Sequence, residues 1–249
     1  MSTKPLNILV VDDDENFAHT LCAILKSAGY QCQEVHSAKE AQKILELDHF
    51  DCVLSDVKMP EKSGAEFYQE IKEQYPHLPF ILMTAYTSSE IIDKAIHSGV
   101  LKAIQKPINI QEILSFFAKL SKNLQAAIVC EEKQICLIIQ NALEKERFTF
   151  TIYKSIRLLI AANNLDYSIV FIDAHNHHEH FSSDIQDLLD HLSERTIVII
   201  CDYSMAAERK EPNQDNVNLI ILPREKKLSQ NINNILEKEY YQYAKKSIQ

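Results

Sequence analysis

The sequence predicts an α/β fold, two consecutive doubly wound domains that each hold a five-stranded parallel sheet, and three observations predict it. Strand-length apolar runs alternate with amphipathic helical patterns along the chain, the signature of successive βα units. The runs are apolar on both faces, as in Ile8-Leu-Val-Val11, which suits the buried centre of a parallel sheet covered by helices. At 249 residues the chain is long enough for two domains, expected over 1–123 and 124–249, each burying its own core.

In the first half, strands are expected near 6–12, 31–35, 51–56, 79–84 and 101–105, and helices near 15–28, 38–47, 64–75, 88–98 and 109–122. Ser37 with Glu40, and Asn109 with Glu112, have capping-box spacing, in which the N-cap side chain and the carboxylate three residues on satisfy backbone amides reciprocally. Gly29 and Gly99 follow helical patterns, where a left-handed residue closes the last turn without a Cβ penalty.

Ligand chemistry in such sheets gathers at the carboxyl ends of the strands. Asp12 and Asp13 follow the first run, Asp56 ends the third, Thr84 the fourth, and Lys106 follows the fifth. Each taken singly reads as a solvated turn or an incidental surface residue; the joint placement on one rim reads as a site. Three carboxylates in a partly buried cleft repel strongly, so a hard divalent cation with oxygen ligands is the economical explanation.

At these residues the chain resembles a known family, the chemotaxis-Y-like receiver domains of two-component response regulators, which have a flavodoxin-like fold. The resemblance covers residues 5 to about 122. Ile8-Leu-Val-Val-Asp12-Asp13 is similar to the family's first strand and metal-holding acidic pair. Asp56, with Val-Lys-Met59-Pro60 and Gly64 after it, resembles the phosphoacceptor and its loop. Met83-Thr84-Ala85 resembles the switch hydroxyl with its small neighbour, and Lys106-Pro107 the lysine and the peptide that in receivers is usually cis.

The resemblance implies Mg²⁺ on Asp12, Asp13, Asp56 and the backbone carbonyl of Lys58, which removes the repulsion between an aspartate nucleophile and a phosphoryl group. It implies that Lys106 stabilises the transferring oxygens and that Thr84 donates to the new phosphoryl group, biasing the loop towards a second conformation. The implied partner is a sensor histidine kinase or phosphotransfer protein, with no enzyme activity beyond the domain's own phosphorylation and dephosphorylation. One position departs from the pattern. Ala103 stands where receivers carry a Tyr or Phe that swings inward, so a weakened or rerouted response is expected, with Tyr86 a candidate to fill the space.

The second half reads βα again, with apolar runs at 126–129, 149–153, 168–172, 196–200 and 218–221. Asp12 to Asp56, Thr84 and Lys106 gives intervals of 44, 28 and 22; Cys130 to Asp173, Cys201 and Leu222 gives 43, 28 and 21. The half therefore resembles a degenerate pseudo-receiver. Cys130 replaces an acid, although Glu131 and Glu132 could still attract a cation. Cys201 replaces the switch hydroxyl, and Leu222, followed by Pro223, is expected at the lysine's place, which leaves Asp173 a structural leftover. The loop His175-Asn-His177-His178-Glu179-His180 offers zinc-type ligands, a solvated polar loop being the plain alternative. A last helix over 228–243 carries Ile232, Ile235, Leu236 and Tyr240 on one side; its Tyr240-Tyr241-x-Tyr243 cluster suits either its own core or a partner.

Composition narrows the function classes. Apolar residues at 46% and charged residues at 24% describe a soluble globular chain. The net charge of −9 is shared between the halves, and the best basic stretch, Arg224-Glu-Lys226-Lys227, is short and interrupted, which argues against nucleic-acid binding. The N-terminus has no apolar signal core and no run is long enough to span a bilayer, so no membrane role is expected. The six cysteines form no Cys-x-x-Cys pair and read as reduced core thiols of a cytoplasmic protein. The expected output is protein interaction, by docking or as a homodimer. A receiver-regulated metal-dependent enzyme and a cryptic nucleic-acid binder are the alternatives.

Overall fold

The computed structural model describes residues 5–85, 90–121, 124–146, 148–162, 167–174, 181–191, 195–201, 218–224 and 227–246. Tyr86 and the histidine-rich loop 175–180 lie outside the described residues. The chain divides into two compact units, residues 1–122 together with 240–249, and residues 123–239. Among the described residues no helix is long and apolar enough to cross a membrane.

The first unit alternates β1 (Asn7–Val11), α1 (Glu15–Ser27), β2 (Gln31–Val35), α2 (Ala38–Leu47), β3 (Cys52–Asp56), α3 (Gly64–Ile71), β4 (Phe80–Thr84), α4 (Glu90–His97), β5 (Lys102–Gln105) and α5 (Ile110–Leu120). All pairings are parallel, in the order β2-β1-β3-β4-β5. Because side chains alternate across a strand, Leu9, Val11, Val53, Phe80 and Leu82 join a core with Leu45, Phe67, Tyr68 and Ile71 of α2 and α3. Ile8 and Val10 fall on the other face, and Leu21, Leu25, Ile113 and Phe117 of α1 and α5 are buried with them.

Helix starts follow local chemistry, with one revision. Ser37 and Asn109 cap α2 and α5 as expected, but neither capping box closes: Glu40 accepts from the His36 N–H at 3.0 Å, and Glu112 pairs with Lys102. The complete box is at Ser63 and Glu66, which starts α3 beside Asp56. Gly29 and Gly99 have positive φ, at 92° and 120°, as their C-terminal positions predict. Gly64 is required for a different reason. A Cβ there would lie 2.2 Å from the Asp56 carbonyl oxygen, so only glycine lets α3 begin this close to the end of β3.

The second unit contains β6 (Leu124–Val129), α6 (Lys133–Lys145), β7 (Phe148–Tyr153), α7 (Ile156–Ala161), β8 (Ile169–Asp173), α8 (Phe181–His191), β9 (Thr196–Cys201), β10 (Asn218–Pro223) and the first part of α9 (Leu228–Lys246). Its sheet, read as β7-β6-β8-β9-β10, has the strand order of the first. In α9 the stripe Leu228, Ile232, Leu236, Tyr240 and Ala244 is buried, as the helical period predicts. The tyrosine hydroxyls are used within the chain: in the segment that clusters with the first unit, Tyr240, Tyr241 and Tyr243 donate to the carbonyls of Leu120, Gly99 and Lys119.

The cysteines need a correction. Cys22 of α1 and Cys32 of β2 are joined as a disulfide, with Cα atoms 5.5 Å apart, rather than lying as two reduced thiols. α1 packs along β2, and that tertiary contact brings together two residues whose sequence spacing matches no motif. Cys52, Cys130, Cys136 and Cys201 are in no disulfide.

Candidate functional site

Strand order reverses at β1, so the crevice at the carboxyl ends of β1 and β3 is the topological switch point of the first sheet. Val11 pairs with Ser55, which sets Asp12 and Asp56 side by side at this edge. Asp12 and Asp56 are almost fully buried, and Asp13 is exposed.

Lys106 connects the two buried acids. Its Nζ lies 2.7 Å from Asp12 Oδ2 and 2.6 Å from Asp56 Oδ1, and it also sits 4.3 Å from the centre of the Phe17 ring. Its position is set by the backbone: the Lys106 N–H donates to the Thr84 carbonyl at 2.7 Å, and the Lys106–Pro107 peptide is cis, as the resemblance implied. The second oxygen of Asp56 accepts from the Lys58 N–H at 2.7 Å, and Asp12 Oδ1 accepts from the Asp14 N–H at 3.1 Å. Thr84 is buried at the end of β4, whose Met83 pairs with Asp56. The predicted residues Asp12, Asp56, Thr84 and Lys106 thus share one rim, and Ala103 packs against the core at the edge of the sheet.

Burial lifts the Asp12 carboxyl above its ordinary range, and the Lys106 and Asp14 contacts only partly offset it. Burial works against the charge of Lys106, but its hydrogen bonds to Asp12 and Asp56 outweigh this and raise it overall. Asp12, Asp13 and Asp56 thus share this rim with one ammonium, that of Lys106.

Among the described residues no three Asp, Glu, His or Cys side chains form a ready-made metal cluster, and Lys106 stands between the two buried acids. That arrangement still suits Mg²⁺, which keeps several waters and takes only one or two carboxylates besides phosphate oxygens. The donor set of carboxylates and backbone carbonyls is of the hard oxygen type that such a cation takes.

The second sheet carries corresponding backbone contacts. Cys130 N–H donates to the Tyr153 carbonyl as Asp12 N–H donates to that of Val35, both at 3.2 Å. Ala174 N–H donates to Ile200 as Val57 N–H donates to Met83, both at 2.8 Å. The lysine's counterpart, however, is Arg224 and not Leu222. Cys201 pairs with Pro223, and Arg224 N–H donates to the Cys201 carbonyl at 3.0 Å. Pro223 suggested a match to Pro107, but it is still inside β10, and the interval from Cys201 is one residue longer than in the first half. The guanidinium pairs with both Glu132 and Asp173, so Asp173 does have a fixed cationic partner.

Phe17, the Ser63–Glu66 box and Arg224 are the features of the two rims that the sequence reading missed. Phe17 carried no signal beyond its helical period. The box was visible as Ser-x-x-Glu ahead of α3.

Residues 8–118 match the response regulator receiver domain family. Over 113 residues the chain is 35% identical to the transcriptional regulatory protein ZraR of Klebsiella oxytoca, covering 45% of this chain and 26% of that protein. It is 34% identical over 113 residues to the DNA-binding transcriptional regulator NtrC of Proteus hauseri, covering 45% and 24%. The matches thus span about a quarter of those relatives' length. Among solved structures, the chemotaxis response regulator CheY4 of Vibrio cholerae is 27% identical, with a TM-score of 0.44, covering 47% of this chain and 98% of that one.

Proposed function

Residues 8–118 being a response regulator receiver domain, we propose that Asp56 accepts a phosphoryl group from a sensor histidine kinase or phosphotransfer protein, and that the chain passes the signal on by protein interaction. The observation that carries this reading is the two-handed contact of Lys106 Nζ with Asp12 and Asp56 at the switch point of the sheet. An Asp56 carboxylate oxygen attacks phosphorus, the P–N bond to the donor imidazole breaks, and an acyl phosphate forms. Lys106 is held where it can leave the carboxylate and follow the charge onto the phosphoryl oxygens. Thr84, at the end of the neighbouring strand, supplies the hydroxyl for the same group.

Asp12, Asp13, Asp56 and the Lys58 carbonyl would hold Mg²⁺, which supplies charge neutralisation between the two anionic reactants. Asp13, exposed at the mouth of the crevice, is the ligand best placed to meet a hydrated ion. With Ala103 in β5 there is no ring at this position to rotate, so the response travels through Thr84.

The matching strand order and backbone contacts of the second sheet support reading 124–249 as a receiver-like docking module in a cytoplasmic regulator. The DNA-binding transcriptional regulator NtrC aligns with 45% of this chain and 24% of its own length. The test is capture of partners by the full chain with and without the phosphate mimic beryllofluoride, in wild type and Asp56→Asn. A partner set that responds to the mimic only in wild type supports the reading. Identical sets in all four arms, or salt-sensitive capture of random DNA instead of protein, overturn it.

A further inference from the structure

We propose that Arg224 is a built-in counter-ion that takes the place of the divalent cation in the second rim, so that this unit holds no metal. The inference rests on reading the second unit as receiver-like. Arg224 occupies the lysine's position by its backbone hydrogen bond to Cys201, but its chemistry differs. A lysine is a point charge that can move from one oxygen to another; a guanidinium is a rigid fork with fixed donors. Here one prong, Nη1, meets Glu132 Oε2 and the other, Nη2, meets Asp173 Oδ1. The arginine side chain is 12% exposed and that of Asp173 4%, so the pair is largely shielded from water.

The other oxygen of Asp173 is also taken. Cys130 Sγ lies 3.3 Å from both Asp173 Oδ2 and the Glu132 carbonyl oxygen, so its one S–H proton is shared between these two acceptors. Burial pushes this thiol up to about 11, so it is a neutral donor where the first rim has the carboxylate of Asp12. A protonated thiol is a poor ligand for a hard cation, and a guanidinium fork seated on two acids cannot step from one oxygen to another as the ammonium of Lys106 can. The second rim therefore does not fit Mg²⁺. Removing the arginine would take the guanidinium away from the buried Asp173 carboxylate, a change that leads a carboxylate site to recruit another cation or lose stability.

Binding of Mn²⁺ to the full chain, read from the electron paramagnetic signal of the free ion, tests this. Asp13→Ala/Asp56→Ala disables the first rim, and this chain is expected to bind no Mn²⁺ at concentrations that saturate wild type. Adding Arg224→Gln is expected to create one site per chain, which a further Asp173→Asn removes. Mn²⁺ held by the second rim with Arg224 present overturns the proposal, as does a folded Arg224→Gln chain that gains none. If Arg224→Gln unfolds the second unit, recovery of the fold on adding Asp173→Asn supports the counter-ion role and failure to recover overturns it. Absence of Mn²⁺ from wild type would count against the first rim as a metal site and leave the gain at Arg224→Gln as the deciding result.

Discussion

Lys106 Nζ stands 2.6 Å from Asp56 Oδ1, on the oxygen that would become part of an acyl phosphate. The contact holds the nucleophile and its future stabiliser together before any donor arrives. Because Lys106 also holds Asp12 at 2.7 Å, it can release Asp56 without becoming an unpaired buried cation. Phe17 beneath the ammonium adds a third restraint that does not compete for its protons.

Lys106→Met is expected to slow labelling by acetyl phosphate about 100-fold, the scale of removing one preorganised charged donor. Single-turnover labelling of the full chain checks it.

The two perturbed groups of the rim act at opposite ends of the pH range. The raised Lys106 contributes stability that is fully present below its ordinary 10.5 and is lost as pH rises through its higher folded value. The raised Asp12 works the other way: its charged form costs stability above its folded value, and the cost is relieved as pH falls towards its ordinary 3.8. Asp12→Asn is therefore expected to raise the urea midpoint at pH 7 and to flatten the acid side of the profile. Lys106→Met is expected to lose the alkaline fall above pH 10.5. Urea midpoints measured from pH 4 to pH 11 check both.

Gly64→Ala is expected to destabilise the first unit by about 1–3 kcal/mol, the scale of overpacking a filled site. A helical Gly→Ala change normally gains up to ~1 kcal/mol, so the reversed sign is the informative outcome. It follows from the 2.2 Å approach of a Cβ to the Asp56 carbonyl and 2.7 Å to Ser55 Oγ, and chemical denaturation reads it.

The Cys22–Cys32 bond closes a loop with a sequence separation of 10, so Cys22→Ala/Cys32→Ala is expected to lower stability by about 3 kcal/mol under oxidising conditions. Under reduction wild type is expected to fall towards the double variant. Alkylation followed by intact mass measurement reports whether the two thiols are joined in purified protein, a cytosol being a setting in which such bonds are rare.

The sheet and its rim were legible because both depend on local pattern. Apolar runs of strand length with helical patterns between them give βα units, and polar residues just after such runs can only collect at one edge. What escaped depended on tertiary placement. Nothing in the sequence ties Cys22 to Cys32 until α1 packs beside β2. Arg224 escaped because Pro223 after Leu222 resembles Pro107 after Lys106, whereas Pro223 is itself in β10 and the counterpart of Lys106 comes after it. The charge that seemed to be missing from the second half was two residues from where it was sought.

The decisive measurement is Mg²⁺-dependent phosphorylation of the intact chain by acetyl phosphate, with the site located by peptide mapping. One phosphoryl group per chain on Asp56, none in Asp56→Asn and none on Asp173 is the expected result. Labelling that persists in Asp56→Asn, or that falls on Asp173 beside Arg224, or that never occurs in wild type, would contradict it.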